Sequence, residues 1–269
     1  MTSDDSTDVD DTPLVRSSPA FVVLVHGAWH GGWCWAALQT RLDERGIASL
    51  SIDLPGHGAS TADLTGLHGD AAAVSATLDV LASRDVGPIV LVGHSYGGAV
   101  ITQAAAGRTD IGHLVYVAAF ALDSGESVLS ALGSFERRDV DLGAAMIPTA
   151  DGTATTLDPA TAAGALYGEC APETIAVALP RLSPQPMASM TEEVDGSPRD
   201  SVESTFVVCS RDRAVHPDHQ AAMAARCTHR IELDTDHSPF MSDVDAMTDI
   251  VSDIARGVGH TRQPEGTDS

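Results

Sequence analysis

Lysine is absent from the 269-residue sequence, and all fifteen basic residues are arginine. A chain without lysine forms no lysine Schiff base and builds no lysine-dependent phosphate loop. Aromatic residues are also scarce, at 4%, so the core must be filled by small aliphatic side chains. No apolar run approaches the roughly 20 residues a spanning helix needs. The start, MTSDDSTDVDD, has neither the positive n-region nor the apolar stretch of a secretory signal. The expectation is a cytoplasmic protein with no membrane partner. Positive charge is outnumbered, with 15 basic against 38 acidic residues and a formal charge of −23. Such a surface repels phosphate backbones, which excludes nucleic acid as an expected partner. The four cysteines, Cys34, Cys170, Cys209 and Cys227, form no CxxC pair and fit no zinc spacing. They read as reduced, mostly buried thiols, and none sits in a nucleophile motif.

The apolar runs that are present alternate with longer helical patterns. FVVLVHG (Phe21–Gly27) is continuous and ends on glycine, as a buried parallel strand does. Further strands are read at Ala48–Leu54, Pro88–Ser95, His113–Ala119, Ser204–Cys209 and His229–Leu233. Helical spacing follows at Trp33–Arg45, Asp70–Arg84, Tyr96–Ala106, near Pro217–Arg226 and near Val244–Ile254. This βαβα rhythm predicts a mostly parallel sheet of about six strands with helices on both faces. The rhythm breaks over 121–202, which carries helical fragments and no convincing strand. That interval is placed as a helical cap over the carboxyl ends of the strands, where open α/β sheets bind ligands. The core then comprises 20–120 and 203–256. Residues 1–19 and about 257–269 are polar, without periodicity, and are expected to be disordered tails.

The chemistry is carried by Gly93-His94-Ser95-Tyr96-Gly97. A G-x-S-x-G pentapeptide that ends an apolar strand and opens a small-residue helix presents its serine on a sharp, strained turn. A serine hydroxyl needs a base, and the base needs an orienting group. With this motif they follow in the order Ser, acid, His. His237 lies in DTDHSPF, just past the last strand, and is the candidate base. His260 falls in the expected tail, and His229 opens a strand at the wrong edge of the sheet. His216 and His219 read as exposed helix residues, with an i, i+3 metal pair as the alternative. Asp212, just past Ser204–Cys209, is the favoured acid; Asp123 is the rival. Asp234 and Asp236 lie too near the base in sequence to reach around its ring. The amides of Tyr96 and of Ala28, in the loop after the first strand, are the candidate oxyanion donors. His26 reads as a structural histidine and DLPGHGAS (Asp53–Ser60) as a structural turn, with His57 a lesser candidate for substrate contact.

The segments HGAWHGGWCW, DLPGHGAS, GHSYGG, VCSRDRAV and TDHSPF, in this order, resemble the α/β-hydrolase superfamily. Within it the chain resembles the group of plant methyl-ester esterases, hydroxynitrile lyases and bacterial pyrethroid-type esterases. LYGECAPETIAVALPRLSPQPMASMTE is similar to that group's cap, so the resemblance covers about residues 20–256. It implies Ser95, Asp212 and His237 as a triad, and Ala28 and Tyr96 as oxyanion donors. It also implies that the lyases' threonine after the loop histidine and lysine after the base are replaced here by Gly27 and Ser238.

The expected activity is hydrolysis of small, mainly apolar carboxylic esters through an acyl-enzyme on Ser95, with no cofactor and no metal. Gly27, Trp29, Phe120, Leu166, Leu179 and Met187 are candidate substrate-binding residues, each with core packing as the alternative. Three other readings stay open: cyanohydrin cleavage, thioesterase or acyltransferase chemistry, and a non-catalytic ligand receptor. A homodimer is also open.

Overall fold

The apolar run after Pro19 forms strand β1 (Phe21–Val25), and the chain continues through helix α1 (Ala36–Glu44), β2 (Ser49–Ile52), α2 (Leu67–Ser83), β3 (Ile89–His94), α3 (Gly97–Ala105) and β4 (Ile111–Val117). An insertion follows, with α4 (Val128–Ser134), α5 (Leu142–Ala145), β5 (Met146–Pro148), β6 (Ala154–Leu157), α6 (Pro159–Leu166), α7 (Pro172–Ala178), β7 (Gln185–Pro186) and α8 (Ala188–Thr191). The chain closes with β8 (Ser204–Cys209), α9 (Pro217–Ala224), β9 (His229–Leu233), α10 (Pro239–Ser242) and α11 (Val244–His260). The computed structural model describes residues 18–260.

Six strands pair in the order β2-β1-β3-β4-β8-β9, all in parallel, as the βαβα rhythm predicts. β1 is apolar throughout, and β3, β4 and β8 carry apolar runs at 89–92, 114–117 and 206–209, because both faces are covered. Side chains alternate between the faces. Val23 and Val25 of β1, Leu91 of β3 and Phe206 of β8 join a core with Val74 and Leu78 of α2, Val100 of α3 and Met223 of α9. Val22, Leu24, Val90, Val92 and Val207 join the opposite core with Trp35, Leu38 and Leu42 on the α1 side and Met247, Val251 and Ala255 of α11. The sheet is thus a wall between two aliphatic cores, and its carboxyl edge is where the chain is free to carry loops.

Two expectations are corrected. The insertion is not purely helical: β5, β6 and β7 pair as an antiparallel three-stranded sheet. These strands are two to four residues long, and two of them contain proline, too short to leave an alternating pattern. The polar stretch from 257 is not wholly tail, because α11 runs on to His260. Its apolar stripe continues through Ile254 and Val258 against the core, and the packing outweighs the helix cost of Gly257 and Gly259. The tail expectations for 1–17 and 261–269 lie outside the described residues. No helix among the described residues is long and apolar enough to cross a membrane.

Leu38 of α1 is fully buried. Leu38→Ala is expected to lower unfolding free energy by about 2–5 kcal/mol, whereas truncating the exposed Val80 to Ala should change it by less than about 0.5 kcal/mol. Urea unfolding midpoints of the two variants check this contrast.

Candidate active site

Ser95 follows β3 directly and holds φ at +52°. For a residue with a Cβ this left-handed backbone is strained and persists only where its surroundings over-determine it. Here the Ser95 N–H donates to Val117 O at 3.1 Å, while its carbonyl accepts from Phe120 N and Gly98 N, both at 3.0 Å. Gly93 is required by the same turn, since a Cβ there would stand 2.5 Å from Gly97 O.

His237 and Asp212 reach this edge from the neighbouring strands, β9 and β8. His237 Nδ1 lies 2.7 Å from Asp212 Oδ2, with both side chains buried. The carboxylate accepts in addition from Ala214 N at 2.6 Å, Val215 N at 2.9 Å and Gln220 Nε2 at 2.7 Å. With Nδ1 donating to the carboxylate, Nε2 of His237 is left as the basic nitrogen. Asp236 does not pair with His237. Its carboxylate accepts from Ser238 N, Ser242 Oγ and Glu169 N, and so fixes the turn that carries His237. His94, the neighbour of Ser95, donates from Nε2 to the His237 carbonyl at 2.9 Å, and the two rings are 4.5 Å apart. The Ser95 hydroxyl makes no hydrogen bond among the described residues. Catalytic hydrogen bonds are often long before substrate binds.

The loop after β1 offers a free donor. Trp29 N–H is taken by Gln185 Oε1 at 3.0 Å and His30 N–H by Gly27 O at 3.4 Å. The N–H groups of Ala28 and Tyr96 have no acceptor among the described residues, and both residues line a cavity of about 440 Å³ together with Ser95. Trp29, Phe120, Leu129, Phe135, Met187 and Met190 make much of its apolar wall, while His216, His219, Arg137 and Arg138 are its polar members.

Other expected residues fall elsewhere. Leu166 and Leu179 are not in the cavity wall; they pack in a separate cluster with Tyr167 and Ala178, on the side of the insertion next to Trp33 and Met241. Gly27 is not in the wall either. A Cβ there would stand 2.8 Å from His94 Nδ1 and 2.9 Å from Ser95 Cβ, so the position is constrained by the Ser95 turn beneath it. His219 is not exposed. Its Nε2 lies 2.8 Å from Glu136 O and its ring stacks on Phe135, because the segment after α4 folds over α9. Leu129, Leu132, Phe135, Met146 and Met190 were not anticipated as wall residues. The pattern Val128, Leu129, Leu132 of α4 is the one signal that marked an apolar helix face.

Asp123 pairs with Arg199 at 2.6 Å and is half exposed, away from His237. Asp234 is exposed and bonded to Ser210 and Arg211. His229 is exposed at the start of β9, and His260 ends α11. His26 accepts from Leu54 N at Nε2 and donates to Gly27 O at Nδ1, a structural arrangement. Burial pushes the Cys170 thiol up to about 12 and holds Cys34, Cys209 and Cys227 above the usual thiol range. Among the described residues no group of three or more His, Cys, Asp or Glu is arranged to hold a metal ion.

A strained serine between β3 and α3, a buried carboxylate–imidazole pair on the loops after β8 and β9, and a six-stranded parallel sheet are now in view. The sequence model of the alpha/beta hydrolase family matches residues 22–250. The chain belongs to the alpha/beta hydrolase family. Methylesterase 17 of Arabidopsis thaliana is 27% identical over 260 residues, covering 91% of this chain and 94% of the relative. Putative methylesterase 11, chloroplastic, of the same plant is 28% identical over 248 residues, and the match covers 87% of this chain but only 63% of that relative. The pyrethroid hydrolase of Sphingobium faniae superposes with a TM-score of 0.75 at 19% identity, covering 88% of this chain and 97% of that one; at this identity the likeness shows the fold alone.

Burial of five histidines makes stability depend on pH. Desolvation pushes His26 down to about 3 and His30 and His113 down to about 4, and lowers His57 and His94 as well. The unfolded chain takes up protons below about pH 6.5 while these folded imidazoles stay neutral, so stability is lost as pH falls from there towards 4. Asp70, pushed up to about 6 by burial, acts in the opposite direction over part of that window but is a single group. A melting-temperature series is expected to fall steadily from pH 7 to pH 4.5.

Proposed function

We propose that the protein is a serine hydrolase of carboxylic esters with an apolar body, acting through an acyl-enzyme on Ser95. The observation that carries this reading is the buried 2.7 Å His237–Asp212 pair at the same sheet edge as a serine in the left-handed region, whose side faces a largely apolar cavity. In the proposed reaction His237 Nε2 takes the proton of Ser95 as Oγ bonds to the ester carbonyl carbon. The oxyanion accepts from the amides of Ala28 and Tyr96. The carbon–alkoxide bond then breaks, and His237 returns the proton to the departing alcohol. Water, deprotonated by His237, attacks the acyl carbon; the bond from that carbon to Oγ breaks, His237 returns the proton to Ser95 Oγ, and the acid leaves. The donors around Asp212 keep its carboxylate turned to the imidazole through each proton transfer.

The names of the relatives support an ester as substrate. The cavity of about 440 Å³ suits a small molecule rather than a polymer. Lyase chemistry is disfavoured by residues already described. Gly27 stands where the resembling lyases carry threonine, and a side chain there would run into His94 and Ser95. Ser238 follows the base, so no cation stands there for a leaving cyanide.

A panel of methyl and p-nitrophenyl esters of rising acyl length tests the reading. Ser95→Ala is expected to lose about a thousandfold or more of kcat/KM, and Asp212→Asn about a hundredfold to ten-thousandfold in kcat. Fluorophosphonate labelling should disappear with Ser95→Ala. Turnover that survives Ser95→Ala would overturn the acyl-enzyme route.

A further inference from the structure

The loop that carries Ala28 is held by the insertion. Each polar group of Trp29, the next residue, is tied to the cap. Its N–H donates to Gln185 Oε1 at 3.0 Å, its carbonyl accepts from Ser183 N at 2.8 Å, and its indole Nε1 donates to Thr155 O at 3.1 Å. Trp29 itself sits at φ +63°, a conformation that relaxes unless neighbours impose it. Planarity makes each peptide a rigid unit: the Ala28 N–H turns with Gly27 O, and the next unit, joined to it at the Ala28 Cα, turns with Trp29 N. The Gly27–Ala28 peptide is fixed at Gly27 O by His26 Nδ1 at 2.8 Å, and the Ala28–Trp29 peptide is fixed at Ala28 O by His30 Nδ1 at 2.8 Å and at Trp29 N by Gln185. The direction of the Ala28 N–H follows from those anchors.

Gln185 also connects to the other donor. Its Oε1 accepts a second bond from His57 Nε2 at 3.0 Å, and its Nε2 donates to Ser189 Oγ at 2.8 Å. Ser189 Oγ reaches Thr65 O at 3.4 Å, Thr65 Oγ1 donates to Asp70 Oδ1 at 2.6 Å, and Tyr96 OH donates to Asp70 Oδ2 at 2.6 Å. Gln185, Ser189 and Asp70 are at most 1% exposed and none lines the cavity. One polar chain, buried except at the partly exposed Thr65, therefore runs from the Ala28 loop through the cap to the side chain of Tyr96. Satisfied networks of this kind, in a low-dielectric interior, select one geometry among several of similar packing.

We propose that Gln185, on β7 of the cap, is a positioning residue for the oxyanion hole: its side chain sets the Ala28 amide relative to the Tyr96 amide, so that the hole is assembled only with the cap seated. The proposal rests on the acyl-enzyme reading above. A displacement of the order of 1 Å in such a donor costs up to about a hundredfold in rate, and it acts on the tetrahedral intermediate rather than on the bound ester.

Gln185→Met keeps the length of the side chain and removes the acceptor; Gln185→Glu keeps the acceptor. With active enzyme counted by fluorophosphonate titration, Gln185→Met is expected to lose about tenfold to a hundredfold in kcat on a p-nitrophenyl ester while KM stays within about twofold. A trifluoromethyl ketone, whose adduct places an oxyanion in the hole, should bind it more weakly by the same factor. Gln185→Glu should recover kcat to within about threefold of wild type. Should Gln185→Met fail to fold, Ser189→Ala, which removes the partner of Gln185 Nε2, is expected to lower kcat by about threefold or more at constant KM. Unchanged kcat in the folded variants, or a loss carried by KM with ketone binding intact, overturns the inference while leaving the acyl-enzyme reading standing. Wild-type turnover that does not depend on Ser95 overturns both.

Discussion

The left-handed backbone at Ser95 is the constraint on which the architecture turns. Two strands and the segment after the second hold it: β3 delivers the residue, the end of β4 accepts its N–H, and the segment after β4 caps its carbonyl. Each of those strands is fixed in turn by the two aliphatic cores on either side of the sheet. A small strained turn is thus supported by most of the buried surface of the protein. The scarcity of aromatics is no handicap, because Val, Leu and Ile alternating across a doubly covered parallel sheet fill both layers.

The fold was legible in the sequence where strands are buried on both faces. β1, β3 and β8 leave unbroken apolar runs, and the turns after them leave glycine or polar motifs. The segments carrying Ser95, Asp212 and His237 could be located for the same reason: each follows directly on one of the sheet strands, at its carboxyl end. The insertion was much less legible. A strand of two residues, Gln185–Pro186, has no period, and short helices such as α5 and α8 present no face to count. Leu166 and Leu179 were as plausible for the cavity as Leu129 and Leu132, since both pairs are leucines of helices in the insertion or their ends. Only the orientation of those helices over the sheet separates them, and orientation is a tertiary property.

Buried polar groups were the least legible of all. Gln185, Ser189, Thr65 and Asp70 are spread over more than a hundred residues of sequence and belong to no local motif. Their meaning lies in meeting, and the three that lie away from solvent, Gln185, Ser189 and Asp70, require their partners to be present. The histidines show the same effect. His26, His30, His57, His94 and His237 come from four separate segments, yet the ring of His94 neighbours those of His30 and His237, and the ring of His26 neighbours that of His57.

The borders of the described chain meet as well. Ala20 N–H donates to Ala255 O at 2.8 Å, and Gly259 lies against the backbone of Ser18 and Pro19. Because β1 starts there and Ser95 stands beyond the far end of β3, this junction is on the amino edge of the sheet, across the molecule from the cavity. A substitution made at this junction would therefore act at the back of the molecule and leave the mouth of the cavity untouched.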